Sequence, residues 1–560
     1  MIPIKDNFDV VIVGGGINGV GIARDLALRG VSCLLVEKKD FSAGTSSASS
    51  GMIHGGPRYL LHDKEVTRLA CLDSGYIQKI APHLLFRIPF LYPVYQEEGE
   101  TRFRAKLLLE SVEAFFEAYD EFVELKNGRK HTRLSPEEVL QLEPDLPKKN
   151  LLGAVTFDEW GIDVPRLCIA NVVDAVEYGA TALNHTEVIC ITKSDGKIQG
   201  VTLKDTLTGE TKDVNCKILV NATGPWSPHF AKLLGVNINL RGGKGIHLVL
   251  DRRLFNVALA TKAIDGREIF ILPYENTSII GTTDDDYFGD LDDQRTTEDE
   301  IKYLLEGIAQ IFPAVRQARI ISSYSGVRPT LYKRKVYEDA LSREHEILDH
   351  EERDGICGAV SLIGGKLASY RIMAEETGNL VCRKLGIRAN CRTHDTPLPG
   401  GDSKPNVAVL AQEYGLDPYV VSRLVYRHGS RATRILDEIR REPVLGALVC
   451  GCEPVTEAEI RYVARFEMAR TLSDVRLRTR FSAGPCQGTN CLIGGASILK
   501  ELKNDLTEIA SESLHQDLSR YLNQWWYNRA AVLDGEQFKQ EELFQAVMFC
   551  NNSLDLPEEI

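Results

Sequence analysis

Near the start of the chain the spacing of apolar positions switches from strand-like to helical and back. Phe8 to Val13 is a continuous apolar, β-branched run that ends on glycines. Ile22, Ala23 and Leu26 then fall on one helical face, and Cys33 to Val36 is a second apolar run. Strand, helix and strand in this order predict a βαβ unit. From there to about residue 395 strand and helix patterns interleave, including a long amphipathic helix pattern around Leu107 to Leu125 whose phenylalanines are expected in the core. Pro397 to Pro405, rich in Pro, Gly and Ser, is the clearest linker. The expected division is therefore 1–395, an α/β domain with an interleaved substrate domain; 396–445, linker and helical segment; 446–500, a small cysteine-bearing unit; and 501–560, a helical tail. In the tail, Trp525, Trp526, Leu543, Phe544, Val547 and Phe549 form either a docking surface for another subunit or packing onto their own domain.

Length and charge narrow the class. A chain of 560 residues exceeds what one core supports, so two or three domains are expected. The formal charge of −13 argues against nucleic acid as a partner and requires any anionic substrate to be met by a local basic pocket. No run of about 18 apolar residues exists, which excludes a membrane-spanning helix. The first residues lead straight into a strand, so no signal peptide is expected and the chain is placed in the cytoplasm. Most of the 13 cysteines are scattered singly, as suits a reducing compartment.

Gly14, Gly15, Gly16 and Gly19 supply the GxGxxG turn that follows the first strand: a tight turn, room for pyrophosphate, and close helix packing. Glu37 stands at the end of the second strand, where a carboxylate accepts from ribose hydroxyls. FAD and NAD share this fingerprint. A second apolar strand, Ile218 to Val220, runs into Asn221-Ala222-Thr223-Gly224, where small residues let the backbone pass close to a cofactor, as at the second FAD contact of glycine/D-amino-acid oxidase-type flavoproteins.

The segment Gly44 to Tyr59, GTSSASSGMIHGGPRY, closely resembles FAD-dependent glycerol-3-phosphate dehydrogenases. The same family's other segments recur in order: Lys244 to His247, Ile280 to Asp284, Tyr324 to Pro329, and Gly364 to Arg371. Within the family the chain looks most like the large subunit of the anaerobic enzyme. The resemblance implies a Rossmann-like FAD domain, oxidation of sn-glycerol 3-phosphate, and electrons passed to a quinone through partner subunits, with membrane contact only through a partner at the inner face. Thr45, Ser46 and Ser47 suit a phosphate or ribityl chain. Arg58, Tyr59, Arg328 and Lys366 are the expected phosphate ligands, Arg328 and Lys366 also counted as catalytic, and His247 is expected among the substrate-binding residues. His54, in a glycine-rich loop, is favoured over His247 as the base. Gly365, Lys366 and Leu367 are expected at the flavin pyrimidine edge, with Lys366 stabilising negative charge on the reduced ring. Many relatives carry Thr-Thr after Gly-Gly-Lys-Leu; here Ala368-Ser369 removes one hydroxyl, which bears on substrate choice. Rival readings are an FAD enzyme for another small 2-hydroxy acid or amine, a glycerol-3-phosphate oxidase, and a non-catalytic flavin protein.

Cys450-Gly451-Cys452 and Cys486 to Cys491, separated by 33 residues, have a metal-site spacing. The unit looks like a bacterioferritin-associated-ferredoxin domain, which implies a [2Fe-2S] cluster on Cys450, Cys452, Cys486 and Cys491. A structural zinc is the alternative, and unliganded cysteines the third.

Overall fold

A computed structural model describes residues 4–57, 60, 63–332, 344–505 and 513–554. The expected βαβ unit is present: β1 (Asn7–Val13), α1 (Ile17–Leu28) and β2 (Cys33–Val36). β1 lies between two parallel partners, Val10 facing Cys33 on one side and Ile218 on the other. Both faces of a central parallel strand are covered, so its apolar run is continuous rather than alternating; Val10, Val11 and Ile12 are fully buried. The sheet has eight strands, ordered 345–349, 359–364, 211–221, β1, β2, 181–183, with a hairpin of 186–194 and 197–205 added along 211–221.

A second, mostly antiparallel sheet has nine strands among the described residues. It includes β3 (Leu85–Tyr95), the strand Leu151–Ile162 paired along its length with β3, and the strand Ile320–Leu331 paired with Leu240–Leu250. Two helices cover the β3 region: α2 (Lys64–Ile80), capped by the Asp63 carboxylate accepting from Val66 N, and α3 (Arg102–Tyr119), capped by Thr101. α3 and two 3-10 turns ending at Lys126 span the predicted helical pattern. Phe116 and Phe122 are in the core as expected, while Phe103, just upstream of that pattern, is exposed.

Beyond Leu398 the chain is helical, with one short hairpin, Leu448–Cys450 with Val455–Thr456. A single hydrophobic cluster runs from Ala411 to Leu554, so helical segment, cysteine unit and tail share one core. Trp525 and Trp526 are buried in it, and the Trp525 indole donates to the Gln487 carbonyl at 2.5 Å. The tail aromatics thus pack onto their own domain, with Phe549 buried and Phe544 against the same core, while Leu543 and Val547 are exposed. This helical region docks on the α/β part through buried charges: Arg166 with Glu467 at 2.5 Å, Arg478 with Asp40 at 2.5 Å, Arg470 with Asp205 at 3.1 Å and His185 with Asp474 at 3.0 Å.

Candidate active site and cysteine centre

The glycine turn is built as its sequence requires. Gly14 has φ +108°, and a Cβ there would sit 2.5 Å from the Ala222 carbonyl oxygen; one on Gly19 would sit 1.8 Å from the Gly14 oxygen. No larger residue fits either position. Glu37 is docked against the turn, its carboxylate accepting from Gly15 N at 2.7 Å and Lys39 N at 2.9 Å, while burial raises its pKa. Ser46 Oγ accepts from Ile17 N, the first amide of α1, at 2.9 Å.

A cavity of about 810 Å³ starts at this turn and continues between the two sheets. Gly14, Gly16, Glu37, Thr45, Ser46, Gly224, Gly365, Lys366 and Leu367 line it, so most of the cofactor residues read from sequence share one wall system. Gly15 and Gly19 act through the turn's backbone instead. Ser47 is not among the lining residues, and its hydroxyl donates to the Gly44 carbonyl. Thr45 lines the cavity, but its hydroxyl donates to the Val327 carbonyl at 2.7 Å. The fit to a dinucleotide is good: a helix N-terminus without a side-chain cap, a close-approach glycine turn, and the buried Asn18 Oδ1 left with no hydrogen-bond donor beside it.

At the other end the cavity meets His54, His247, Arg328, Lys366 and Ala368. Arg328 is aimed by Asp284 at 3.0 Å and by Thr282 Oγ1 at 2.9 Å. Lys366 Nζ donates to the Gly55 carbonyl at 3.1 Å. His247 is buried, stacked on Tyr324 with ring centroids 4.8 Å apart, and its Nε2 meets Ser50 Oγ at 2.8 Å. Burial, and then the Arg328 charge, push its pKa down to about 3, so it is neutral at working pH. Ala368 lies on the cavity wall, 1% exposed. Arg58 and Tyr59 lie outside the described residues. Sequence reading missed Ser50, Glu159, Arg267 and Trp226, all on the lining. None of them had a local signal: Glu159 follows Asp158 in the strand Leu151–Ile162, and spacing alone does not separate the two acids.

The four cysteines come together as two pairs. Cys452 Sγ and Cys486 Sγ are 3.4 Å apart, and Cys450 is hydrogen-bonded by Cys491, which pulls the Cys450 pKa down to about 6. Each pair takes one thiol from each half of the motif. Among the described residues, the one group of three or more metal-capable atoms mutually within 4.8 Å is Asp40, His185 and Asp474, so the four sulfurs do not form a single tight tetrad.

A glycine turn, a carboxylate docked against it on the cavity wall and a long cavity between a parallel and an antiparallel sheet define a dinucleotide-binding oxidoreductase. Residues 9–365 match the FAD dependent oxidoreductase family, and residues 391–514 match the C-terminal domain of alpha-glycerophosphate oxidase. The chain is 33% identical over 537 residues to a subunit of the anaerobic glycerol-3-phosphate dehydrogenase of Escherichia coli K12, covering 95% of each. It is 33% identical over 454 residues to the aerobic glycerol-3-phosphate dehydrogenase of Staphylococcus haemolyticus, covering 77% of this chain and 79% of that one. The glycerol-3-phosphate dehydrogenase from Bacillus halodurans complexed with FAD superposes with a TM-score of 0.67 at 25% identity, over 99% of this chain and 96% of that one. The chain belongs to the FAD-dependent glycerol-3-phosphate dehydrogenase family. Among the described residues no helix is long and apolar enough to cross a membrane.

Proposed function

We propose that this chain oxidises sn-glycerol 3-phosphate to dihydroxyacetone phosphate with FAD as its cofactor. The observation that carries the reading is one cavity that joins the dinucleotide turn at Gly14 to the cationic groups Arg328 and Lys366, in a protein of net charge −13. Bound FAD supplies hydride acceptance from the substrate's secondary carbinol carbon. Gly14, Gly16, Glu37, Ser46 and Gly224 hold the dinucleotide, and Gly365 to Leu367 face its reactive ring. Arg328, fixed by Asp284 and Thr282, binds the phosphate, with Lys366 adding charge; Arg58 and Tyr59 belong to the same set by family likeness. His54 takes the hydroxyl proton, and neutral His247, tied to Ser50, shapes the pocket.

In this reading residues 1–395 form the flavin unit, 396–445 the connecting segment, 446–500 a [2Fe-2S] unit on Cys450, Cys452, Cys486 and Cys491, and 501–560 a helical tail. Two separate thiol pairs suit the two irons of such a cluster better than one tetrahedral zinc, which draws all four sulfurs together. The surroundings of the two sites support the onward route: His247 stacks on Tyr324 beside the cavity, and Arg480, which covers the Tyr274 ring at 5.0 Å, pairs with Glu453, the neighbour of Cys452. A cluster held there by Cys450, Cys452, Cys486 and Cys491 would supply one-electron transfer toward quinone by way of partner subunits, with the chain on the cytoplasmic side and peripheral to the membrane through those partners.

The test is anaerobic titration of the purified protein with sn-glycerol 3-phosphate, reading the flavin band together with iron, sulfide and zinc content. Flavin bleaching is expected, with about two irons per chain that Cys452→Ser removes. A flavin unmoved by this substrate but bleached by a 2-hydroxy acid would overturn the substrate assignment, and zinc in place of iron would overturn the cluster.

A further inference from the structure

Behind the His54 loop lies a buried charge set that the proposed reaction does not use. Glu159, in the strand Leu151–Ile162, is 2% exposed and lines the cavity. Its Oε1 accepts from the Tyr119 hydroxyl at 2.7 Å and pairs with Lys126 Nζ at 2.9 Å. Lys126, 1% exposed, also donates to the Asp158 carbonyl at 2.6 Å. This set ties α3 and the turn at Lys126 to the sheet, and a structural role accounts for all of Oε1. Oε2 is left over: it is buried and has no hydrogen-bond partner. A buried acceptor without a donor is destabilising, so an unpaired oxygen at a cavity wall points to a donor that meets it in the working enzyme.

Strand register indicates which donor. Met52 bridges Gly161 in antiparallel fashion, with Ile53 N donating to the Trp160 carbonyl at 2.9 Å and Ile162 N to the Gly51 carbonyl at 2.7 Å. Continued by two residues, this register sets His54 opposite Glu159. Directly opposed residues in an antiparallel pair put their side chains on the same face, with Cβ atoms about 5 Å apart. Both residues line the same cavity, in keeping with that register. Gly55, next along, shows how tight the corner is: a Cβ there would lie 2.4 Å from the Tyr119 hydroxyl and 2.3 Å from Cys71 Sγ.

We propose that Glu159 is the positioning residue of His54, its open oxygen accepting a hydrogen bond from the His54 ring so that the opposite nitrogen is presented to the substrate hydroxyl. The inference rests on the assignment of His54 as base. A carboxylate behind an imidazole fixes its tautomer and stabilises the imidazolium formed when it takes a proton. The other titratable groups around Glu159 are Lys126, Tyr119, Cys71 and Lys366; Lys126 offsets part of the carboxylate charge, and Tyr119 and Cys71 stay protonated because burial raises both, Cys71 to about 11.

The test uses full-length holoenzyme with ¹³C-labelled histidine, following the His54 ring carbon against pH, with assignment from His54→Asn. In Glu159→Gln the His54 midpoint is expected to fall by about one pH unit or more, the effect of removing a carboxylate neighbour. In single-turnover flavin reduction the acid limb should move down by the same amount while the plateau rate drops about tenfold or more. Adding Glu159→Gln to His54→Asn should produce no further loss. An unchanged midpoint, or losses that multiply in the double variant, would overturn the inference, even where Glu159→Gln lowers the melting temperature. The titration needs no substrate. A wild-type flavin untouched by glycerol 3-phosphate would therefore count against the proposed function while the His54 midpoint still decided the role of Glu159.

Discussion

Single side chains show how burial sets chemistry in this protein. His247 and His83 are both pushed down to about 3, burial being the main cause in each, with Arg328 acting on the first and Arg166 on the second. In the unfolded chain a histidine titrates near about 6.5. Between these values the unfolded state binds a proton that the native state refuses, so stability is complete above about pH 6.5 and is lost as pH falls toward 3. The melting temperature should drop less from pH 7 to pH 5 in His83→Asn than in wild type; equal slopes would refute the linkage. The difference between slopes is the proper readout, because buried Asp73, raised to about 6, contributes with the opposite sign. At this scale the sequence identifies residue types and leaves environments open: two histidines in one chain can be a base or a neutral wall, and only neighbours from remote strands decide between them.

At the scale of elements, periodicity comes close to the structure. β1, α1 and β2 fall where the apolar spacing puts them, because a strand covered on both faces and a helix with one buried stripe leave different periods in sequence. The glycine turn between them is under hard steric constraint. Gly19→Ala places a methyl 1.8 Å from the Gly14 carbonyl oxygen, so α1 must move away from the turn. The purified variant should carry several-fold less flavin per protein, measured by absorbance after gel filtration; full retention would mean that the turn does not cradle the cofactor. The hydroxyl-rich segment is less legible. Thr45, Ser46 and Ser47 look equivalent as phosphate or ribityl ligands, yet one hydroxyl is spent on the Val327 carbonyl, one accepts from Ile17 N, and one faces its own turn. Sequence spacing cannot separate these, since the partners of Thr45 and Ser46 lie on other elements.

Across the whole molecule, the helical region is held to the flavin unit by buried charge rather than by a shared apolar core. Asp40 lies just past Glu37, and its pairing with Arg478 connects the cavity-lining end of β2 to the helix Leu472–Thr479, which leads into the cysteine loop. Removing one partner of such a pair leaves a buried charge uncompensated and costs about 3 to 5 kcal/mol. Arg478→Ala should lower the denaturation midpoint accordingly and expose the segment around Pro399 to protease, whereas an unchanged midpoint would show that the pair is energetically neutral. The sequence by itself determined the dinucleotide turn, the order of the elements, the family and the cysteine pattern, because each depends on local spacing or on residues that no other type can replace. Tertiary structure alone decided that the tail aromatics pack inward, that the cysteines meet as two pairs, and that Glu159 of the strand Leu151–Ile162 lines the same cavity as His54. Those outcomes depend on contacts between residues tens to hundreds of positions apart, and nothing in their local sequence records which distant surface they will meet.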